Sequence, residues 1–201
     1  MRVAAAVLAA GQGERLGGDV PKPLALLRGR PLVTWALDAV RATGLSPVVL
    51  VVGRDAASVR AAAPASVTVV HASRWQEGIA HSLHAGLDAL EPLPELSAVC
   101  VGLADQPLVA AAAYERLVAA HARGATLVVA TYSGVRQNPV LLGRDLWPEV
   151  RALSGDIGAR ALMDEHETTE VDCTGTGLPL DVDTIGDLQA LERMLSASDQ
   201  G

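Results

Sequence analysis

Apolar residues fall along this chain in short runs, each broken by glycine, proline or a polar turn. Val3 to Leu8 is continuous and apolar and ends in a glycine-rich loop, the pattern of a strand buried on both faces. Val48–Val52, Val67–Val70 and Ala98–Leu103 repeat that pattern. Helical spacing lies between them: Pro31 through Thr43, with proline in the first turn and Gly44 just past the end, then Ala56–Ala63, then Gly78–Leu90 with Leu83, Leu87 and Leu90 on one face. A helix over Tyr114–Arg123 is stopped by Gly124. Thr126–Thr131 and Pro139–Leu142 read as further strands, Leu146–Leu153 and Gly158–Glu165 as helices, and Thr168–Cys173 and Leu180–Val182 as weaker strands. Thr184–Leu195 is the last predicted helix.

This alternation predicts an α/β, three-layer fold: a mostly parallel sheet with helices on both faces. No repeat or low-complexity linker interrupts it, so residues 1–195 are expected to form one domain and 196–201 a flexible tail. Ligands in such sheets bind beyond the carboxyl ends of the strands. The rule directs attention to the loop after Leu8, the turn after Val70 and the loop after Leu103.

Composition narrows the function. Half of the residues are hydrophobic, yet no stretch approaches the roughly 20 uninterrupted apolar residues of a membrane span. The opening MRVAAAVLAAGQG has the outline of a leader, but its apolar run is short, rich in alanine and closed by glycines, which favours a buried strand. A formal charge of −7, from 16 basic and 23 acidic residues without a basic stripe, argues against a nucleic-acid partner and leaves room for one small anion. Cys100 and Cys173 form no CxxC pair, which fits a reducing cytoplasm and suggests no metal–thiolate site. With no Phe, three Trp and two Tyr, a surface that stacks successive bases is not expected. Of the 16 basic residues 15 are arginines, and Lys22 is the only lysine. A compact ammonium suits a crowded phosphate pocket better than a broad guanidinium fork does.

Lys22 belongs to the loop after the first strand, LAAGQGERLGGDVPKPL. Gly11 and Gly13 let the backbone expose N–H groups to an anion, and Arg15 adds a fork for phosphate oxygens. Gly17 and Gly18 keep the middle of the loop free to close, while Pro21 and Pro23 restrict the backbone on either side of Lys22. A dinucleotide fingerprint fails because Leu16 stands where the third glycine belongs, and a P-loop fails because no Gly-Lys pair exists.

Asp105 follows the strand that ends at Leu103, with Pro107 limiting the turn. It either ligates a Mg²⁺ that offsets triphosphate charge or caps the next helix. Asp181 and Asp183 flank Val182 and share a face if that segment is extended. Either could supply a second carboxylate to the metal; equally, Asp183 or Thr184 could cap the last helix, with Asp187 completing a capping box. Asp156 and Arg160 in GDIGAR, together with Arg136, are candidates for the acceptor side or plain surface charges. His81 and His84 have a spacing that permits metal binding, without an apparent third ligand.

LAAGxGxRLG followed by PKPL resembles the signature of nucleotidyltransferases built on a Rossmann-like sheet. WQEGIAHSLHAGL, GLADQP, SGDIGARALM and DVDTIGDL extend the resemblance over nearly the whole chain, to the molybdenum cofactor cytidylyltransferase group. The resemblance implies a Rossmann-like nucleotidyltransferase fold and a Mg²⁺ cofactor. It implies transfer of CMP from CTP to a phosphorylated acceptor, molybdopterin, with release of pyrophosphate. Leu8, Ala9, Ala10, Gly11, Gly13, Arg15, Lys22 and Ser82 would bind the nucleotide, with Lys22, Arg15 and Asp105 catalytic and Asp105, Asp181 and Asp183 serving the metal. Ala10, where guanylyl-transferring relatives carry glycine, leans toward the cytidylyl group. A molybdoenzyme receiving the cofactor is a further implied partner. Two departures stand out: Ala72 replaces an asparagine, and Gln137-Asn138-Pro139 replaces Gly-His-Pro, which places Asn138 on the acceptor side. Another acceptor, a nucleotide-dependent oxidoreductase of the same fold, and a non-catalytic carrier of the finished cofactor are the alternatives.

Overall fold

Six consecutive buried residues, Val3 to Leu8, make the first strand the spine of the protein. In the computed structural model, which describes residues 1–11, 16 and 20–198, Val3, Ala5 and Val7 enter one core and Ala4, Ala6 and Leu8 the other. The expectations placed on Gly13, Arg15, Gly17 and Gly18 lie outside the described residues. The elements in chain order are β1 (Arg2–Ala9), β2 (Leu26–Leu27), β3 (Arg30–Pro31), α1 (Leu32–Ala42), β4 (Val48–Val52) and α2 (Ala56–Ala62). There follow β5 (Thr68–His71), α3 (Ile79–Leu90), β6 (Leu96–Leu103), α4 (Ala111–His121), β7 (Leu127–Tyr132), β8 (Val135–Gly143), α5 (Trp147–Val150), β9 (Thr169–Asp172) and α6 (Ile185–Ser198).

The seven-stranded sheet has the order β5-β4-β1-β6-β8-β7-β9. β1 pairs in parallel with β4 and β6, β4 with β5 and β7 with β9, while β8 runs antiparallel to both β6 and β7. On one face, side chains of α1 and α4 such as Leu37, Val40, Tyr114 and Leu117 close a core. On the other, Leu83, Leu87 and Leu90 of α3, Trp147 of α5 and Leu162 close a second. The three-layer arrangement is therefore as the apolar pattern predicts, and its Rossmann-like form as the resemblance implies. No helix among the described residues is long and apolar enough to cross a membrane.

A third, smaller core matters most for the site. Leu27 and Leu32 pack with Val182 and with Leu191 of α6, all essentially inaccessible to water. This cluster returns the end of the chain to the segment that follows the first loop. The β2–β3 hairpin within it is not predicted by the sequence pattern. Its strands are two residues each, and its turn uses positive φ at Arg28 (51°) and Gly29 (74°), a signal too short for periodicity to show.

Other departures have local causes. Leu180–Val182 is not a strand, because its backbone pairs with a turn instead of a sheet edge: the Val182 N–H donates to the Asp105 carbonyl at 2.9 Å. The predicted helix over 146–153 is a 3₁₀ turn, Arg144–Leu146, leading into the four-residue α5 with a proline in its first turn, and that over 158–165 is 3₁₀ throughout, Ala159–Asp164. α6 continues to Ser198, so the expected tail begins as helix; the Ser196 hydroxyl donates to the Glu192 carbonyl at 2.8 Å.

Candidate active site

The carboxyl ends of β1, β4 and β6 open into a cavity of about 270 Å³. Leu8, Ala9, Ala10 and Gly11 leave β1 along its wall, and Lys22, Ser82, Asp105 and Asp156 reach it from four other parts of the chain. Of the residues expected to bind nucleotide, all those described line this one space.

Lys22 starts a single 3₁₀ turn, Lys22–Leu24, entered through Pro21 at φ −57° and ψ 138°. The turn is held by Leu24 N–H on the Pro21 carbonyl (2.8 Å) and Ala25 N–H on that of Lys22 (3.1 Å). The Lys22 ammonium donates to Asp105 Oδ2 and to Asp183 Oδ1, each at 2.6 Å, with 12% of the side chain exposed. Burial by itself would lower its pKa, but the adjacent Asp105 charge and the hydrogen bonds to both carboxylates outweigh that and raise it.

Asp105 is set in place by its neighbours. The Ala104 N–H donates to the Leu8 carbonyl at 3.0 Å, which fixes the turn against the end of β1. Asp105 does not cap the following helix: α4 opens after Ala110, with no side-chain cap. At the last helix both readings of the sequence hold at once. Thr184 and Asp187 form the capping box, with Thr184 N–H to Asp187 Oδ2 at 2.7 Å and Asp187 N–H to Thr184 Oγ1 at 3.2 Å. The same Asp187 oxygen accepts the Asp183 N–H at 3.1 Å, and the Asp183 carboxylate is left for Lys22.

Val182 is fully buried, and the acids on either side of it meet different partners, Asp181 the Gln106 amide and Asp183 the Lys22 ammonium. Asp181 Oδ1 accepts from the Gln106 amide at 3.0 Å. Partial withdrawal from water, then the nearby Asp105 charge, raise the Asp181 pKa against the opposing effect of that hydrogen bond. Among the described residues no group of three or more His, Cys, Asp and Glu is disposed to hold a metal ion. The donor set nonetheless suits a hard cation. Asp105 and Asp183 turn carboxylate oxygens onto one positively charged nitrogen, and Asp181 is an acid crowded by other acids.

The opposite wall comes from α3. Ser82 is buried, and Gly78, at φ +109°, precedes the helix. A Cβ on Gly78 would stand 2.2 Å from the Gly155 carbonyl group. Only glycine lets that loop approach, and the Ala80 N–H then binds the Gly155 carbonyl at 3.1 Å, bringing Asp156 to the cavity.

Sequence reasoning missed two cavity residues, Arg54 and Asp55. The Arg54 guanidinium lies 5.3 Å from the centre of the Trp75 ring, which also lines the cavity. They follow β4, and the strand-end rule applied there would have found them.

A second cavity, of about 430 Å³, adjoins the first through Leu8, Ile79 and Leu103. Gln106, Gln137, Asn138, Arg160 and Asp181 line it, and Arg160 donates to Gln137 Oε1 at 3.4 Å. Arg136 lines neither cavity. It sits at the exposed start of β8 and pairs with Glu170 of β9 at 2.8 Å, a surface ion pair in place of the expected acceptor contact. Ala72 is packed in the second core, outside both spaces. His81 and His84 meet edge to face at 5.3 Å; His84 contacts the Val150 carbonyl.

Known proteins share this architecture. Nicotine blue oxidoreductase of Paenarthrobacter nicotinovorans is 33% identical over 94% of this chain and 96% of its own. The bifunctional protein GlmU of Brucella anthropi is 34% identical over 82% of this chain, which spans only 34% of GlmU. The crystal structure of Rv0371c from Mycobacterium tuberculosis H37Rv superposes with a TM-score of 0.82 at 31% identity, covering 96% of this chain and 99% of that one. The same protein is also known in complex with manganese. The model of the MobA-like NTP transferase domain matches residues 5–170, and the chain belongs to that family.

Proposed function

We propose that this nucleotidyltransferase moves CMP from CTP to a phosphorylated acceptor of the molybdopterin type and releases pyrophosphate. The observation that carries the reading is the meeting of Lys22, Asp105 and Asp183 beside the cavity walled by Leu8 to Gly11. An acceptor phosphate oxygen attacks the α-phosphorus; the bond from that phosphorus to the bridging oxygen breaks in line, and the electron pair leaves with pyrophosphate. Such chemistry asks the protein for position and charge rather than for a covalent partner.

Backbone N–H groups of the loop beginning at Gly11 hold the triphosphate, and Lys22 offsets charge developing at the α-phosphate. Arg15 belongs to the same phosphate grip. Asp105 and Asp183 would hold a divalent cation, Mg²⁺ in the cell, which when bound neutralises phosphate charge. The manganese complex of Rv0371c supports a divalent ion in this family. Asp181 holds Gln106 at the boundary with the second cavity, where Asn138, Arg160 and, from the first cavity, Asp156 receive the acceptor. The site works in the cytoplasm, and its product passes to a molybdoenzyme.

A pyrophosphate-release panel tests this. CTP, GTP, ATP and UTP are each supplied with Mg²⁺ and candidate phosphorylated acceptors, and CTP-selective release that requires molybdopterin is the expected result. Equal release with all four nucleotides, or release with a sugar phosphate only, overturns the donor or acceptor assignment. A second reading, a nucleotide-dependent oxidoreductase, draws on the name of the relative from Paenarthrobacter nicotinovorans. Consumption of NADPH followed by absorbance would favour it.

A further inference from the structure

We infer that Lys22 fills, in the nucleotide-free protein, the place that a divalent cation takes during the reaction, so that the cation enters together with the triphosphate and not before it. The inference rests on reading the site as a nucleotidyl-transfer centre. Its ground is the triad itself. Carboxylate oxygens of Asp105 and Asp183, 83 and 161 residues away along the chain, lie at the same distance, 2.6 Å, from one ammonium nitrogen. Both contacts are charge-assisted, and the lysine is largely shielded from water. A metal ion binding the same oxygens would sit at about 2.0–2.1 Å from them, inside the space the ammonium holds. The two cations exclude one another by size and by charge.

Exchange therefore needs another anion for Lys22. The flexible four-carbon stem of a lysine can swing from one anion to another, whereas the backbone between Pro21 and Pro23 stays where it is. Without a new anion a displaced ammonium would lose two counter-ions and gain none. A triphosphate against the segment from Leu8 to Gly11 supplies the missing partner. Lys22 then moves to phosphate, and the carboxylates become free for the metal that the triphosphate brings. An arginine at this position would occupy more room and release its bidentate grip less readily.

The single lysine makes the test direct. Protein labelled with ¹⁵N only at lysine gives one side-chain ammonium signal by NMR. Added Mg²⁺ alone is expected to leave that signal in place, while Mg²⁺ with an equimolar mixture of the four ribonucleoside triphosphates shifts it. A shift on Mg²⁺ alone overturns the inference. In a second measurement, electron paramagnetic resonance follows free Mn²⁺ with no nucleotide present. Lys22→Met is expected to bind Mn²⁺ at least about tenfold more tightly than the wild type, since it removes the competing charge. Adding Asp183→Asn should erase the gain. Equal binding by wild type and Lys22→Met also overturns the inference. The outcomes separate it from the reading beneath it. Gain of Mn²⁺ affinity in Lys22→Met, without turnover of any triphosphate by the wild type, upholds the competition and removes nucleotidyl transfer. Turnover with unchanged Mn²⁺ affinity does the reverse.

Discussion

The Lys22 ammonium meets the Asp105 carboxylate at 2.6 Å, and the contact joins the turn after the first loop to the turn after β6. If this lysine neutralises charge developing at the α-phosphate, Lys22→Ala should lower kcat by roughly 10²–10³. Circular dichroism should show the fold retained. Asp105→Asn should lower turnover as well and weaken its dependence on Mg²⁺. Undiminished turnover in Lys22→Ala removes the residue from the mechanism.

The capping box of α6 has a catalytic side. Thr184→Ala removes the hydroxyl that accepts the Asp187 N–H, and should cost about 1 kcal/mol of stability, read from a urea midpoint. Asp187→Ala goes further, because one oxygen of Asp187 accepts the N–H groups of both Asp183 and Thr184. It should therefore raise the Mg²⁺ concentration needed for half-maximal activity more than Thr184→Ala does. Equal effects would show that Asp183 does not depend on this support.

Gly78→Ala places a methyl group 2.2 Å from the Gly155 carbonyl. Relief by backbone movement should cost about 1–3 kcal/mol. The displaced loop carries Asp156, so the KM for the acceptor should rise more than kcat falls. A variant that loses kcat alone would mean that this loop serves the chemical step and not acceptor binding.

Lys22 also sets an alkaline limit. Its folded pKa lies above the ordinary 10.5, so its contribution to stability is complete below that value. The contribution is lost as pH rises through the higher, folded value. Buried Cys100 and Tyr114, whose pKa values are raised by burial, also make the protein less stable in alkali. The difference in Tm between wild type and Lys22→Met isolates the lysine. It should be constant up to about pH 10 and shrink above it. A constant difference through pH 12 would contradict the raised value.

Two arginines separate surface from site. Arg136→Ala should leave the acceptor KM within about twofold, as befits an exposed ion pair. Arg160→Ala, in the second cavity, should raise that KM by more. The opposite order would move the acceptor to the outer edge of the sheet.

Much of this was legible in the sequence because strands buried on both faces announce themselves as apolar runs. Val48–Val52 has the predicted limits, and Lys22 and Asp105 stand where the strand-end rule directs attention. What the sequence hides is pairing at a distance. Nothing local says that Asp183 turns to Lys22 while its neighbour Thr184 caps the helix, or that Arg136 is taken by Glu170. Short elements such as Leu26–Leu27 fall below the length at which a period can be seen. Arg54 and Asp55 had a position but no motif.

Val182 has a bearing on how the protein is made. Strands β1, β4, β5 and β6 are complete once residue 103 has been synthesised, and they can begin to pair as the chain emerges. The residue that anchors Asp183 beside Lys22 arrives much later, with α6 close behind it. A nascent chain can thus pair four of the seven strands before its lysine has both counter-ions. The charged centre around Lys22 is therefore complete only after Asp183 has been made, well after Asp105.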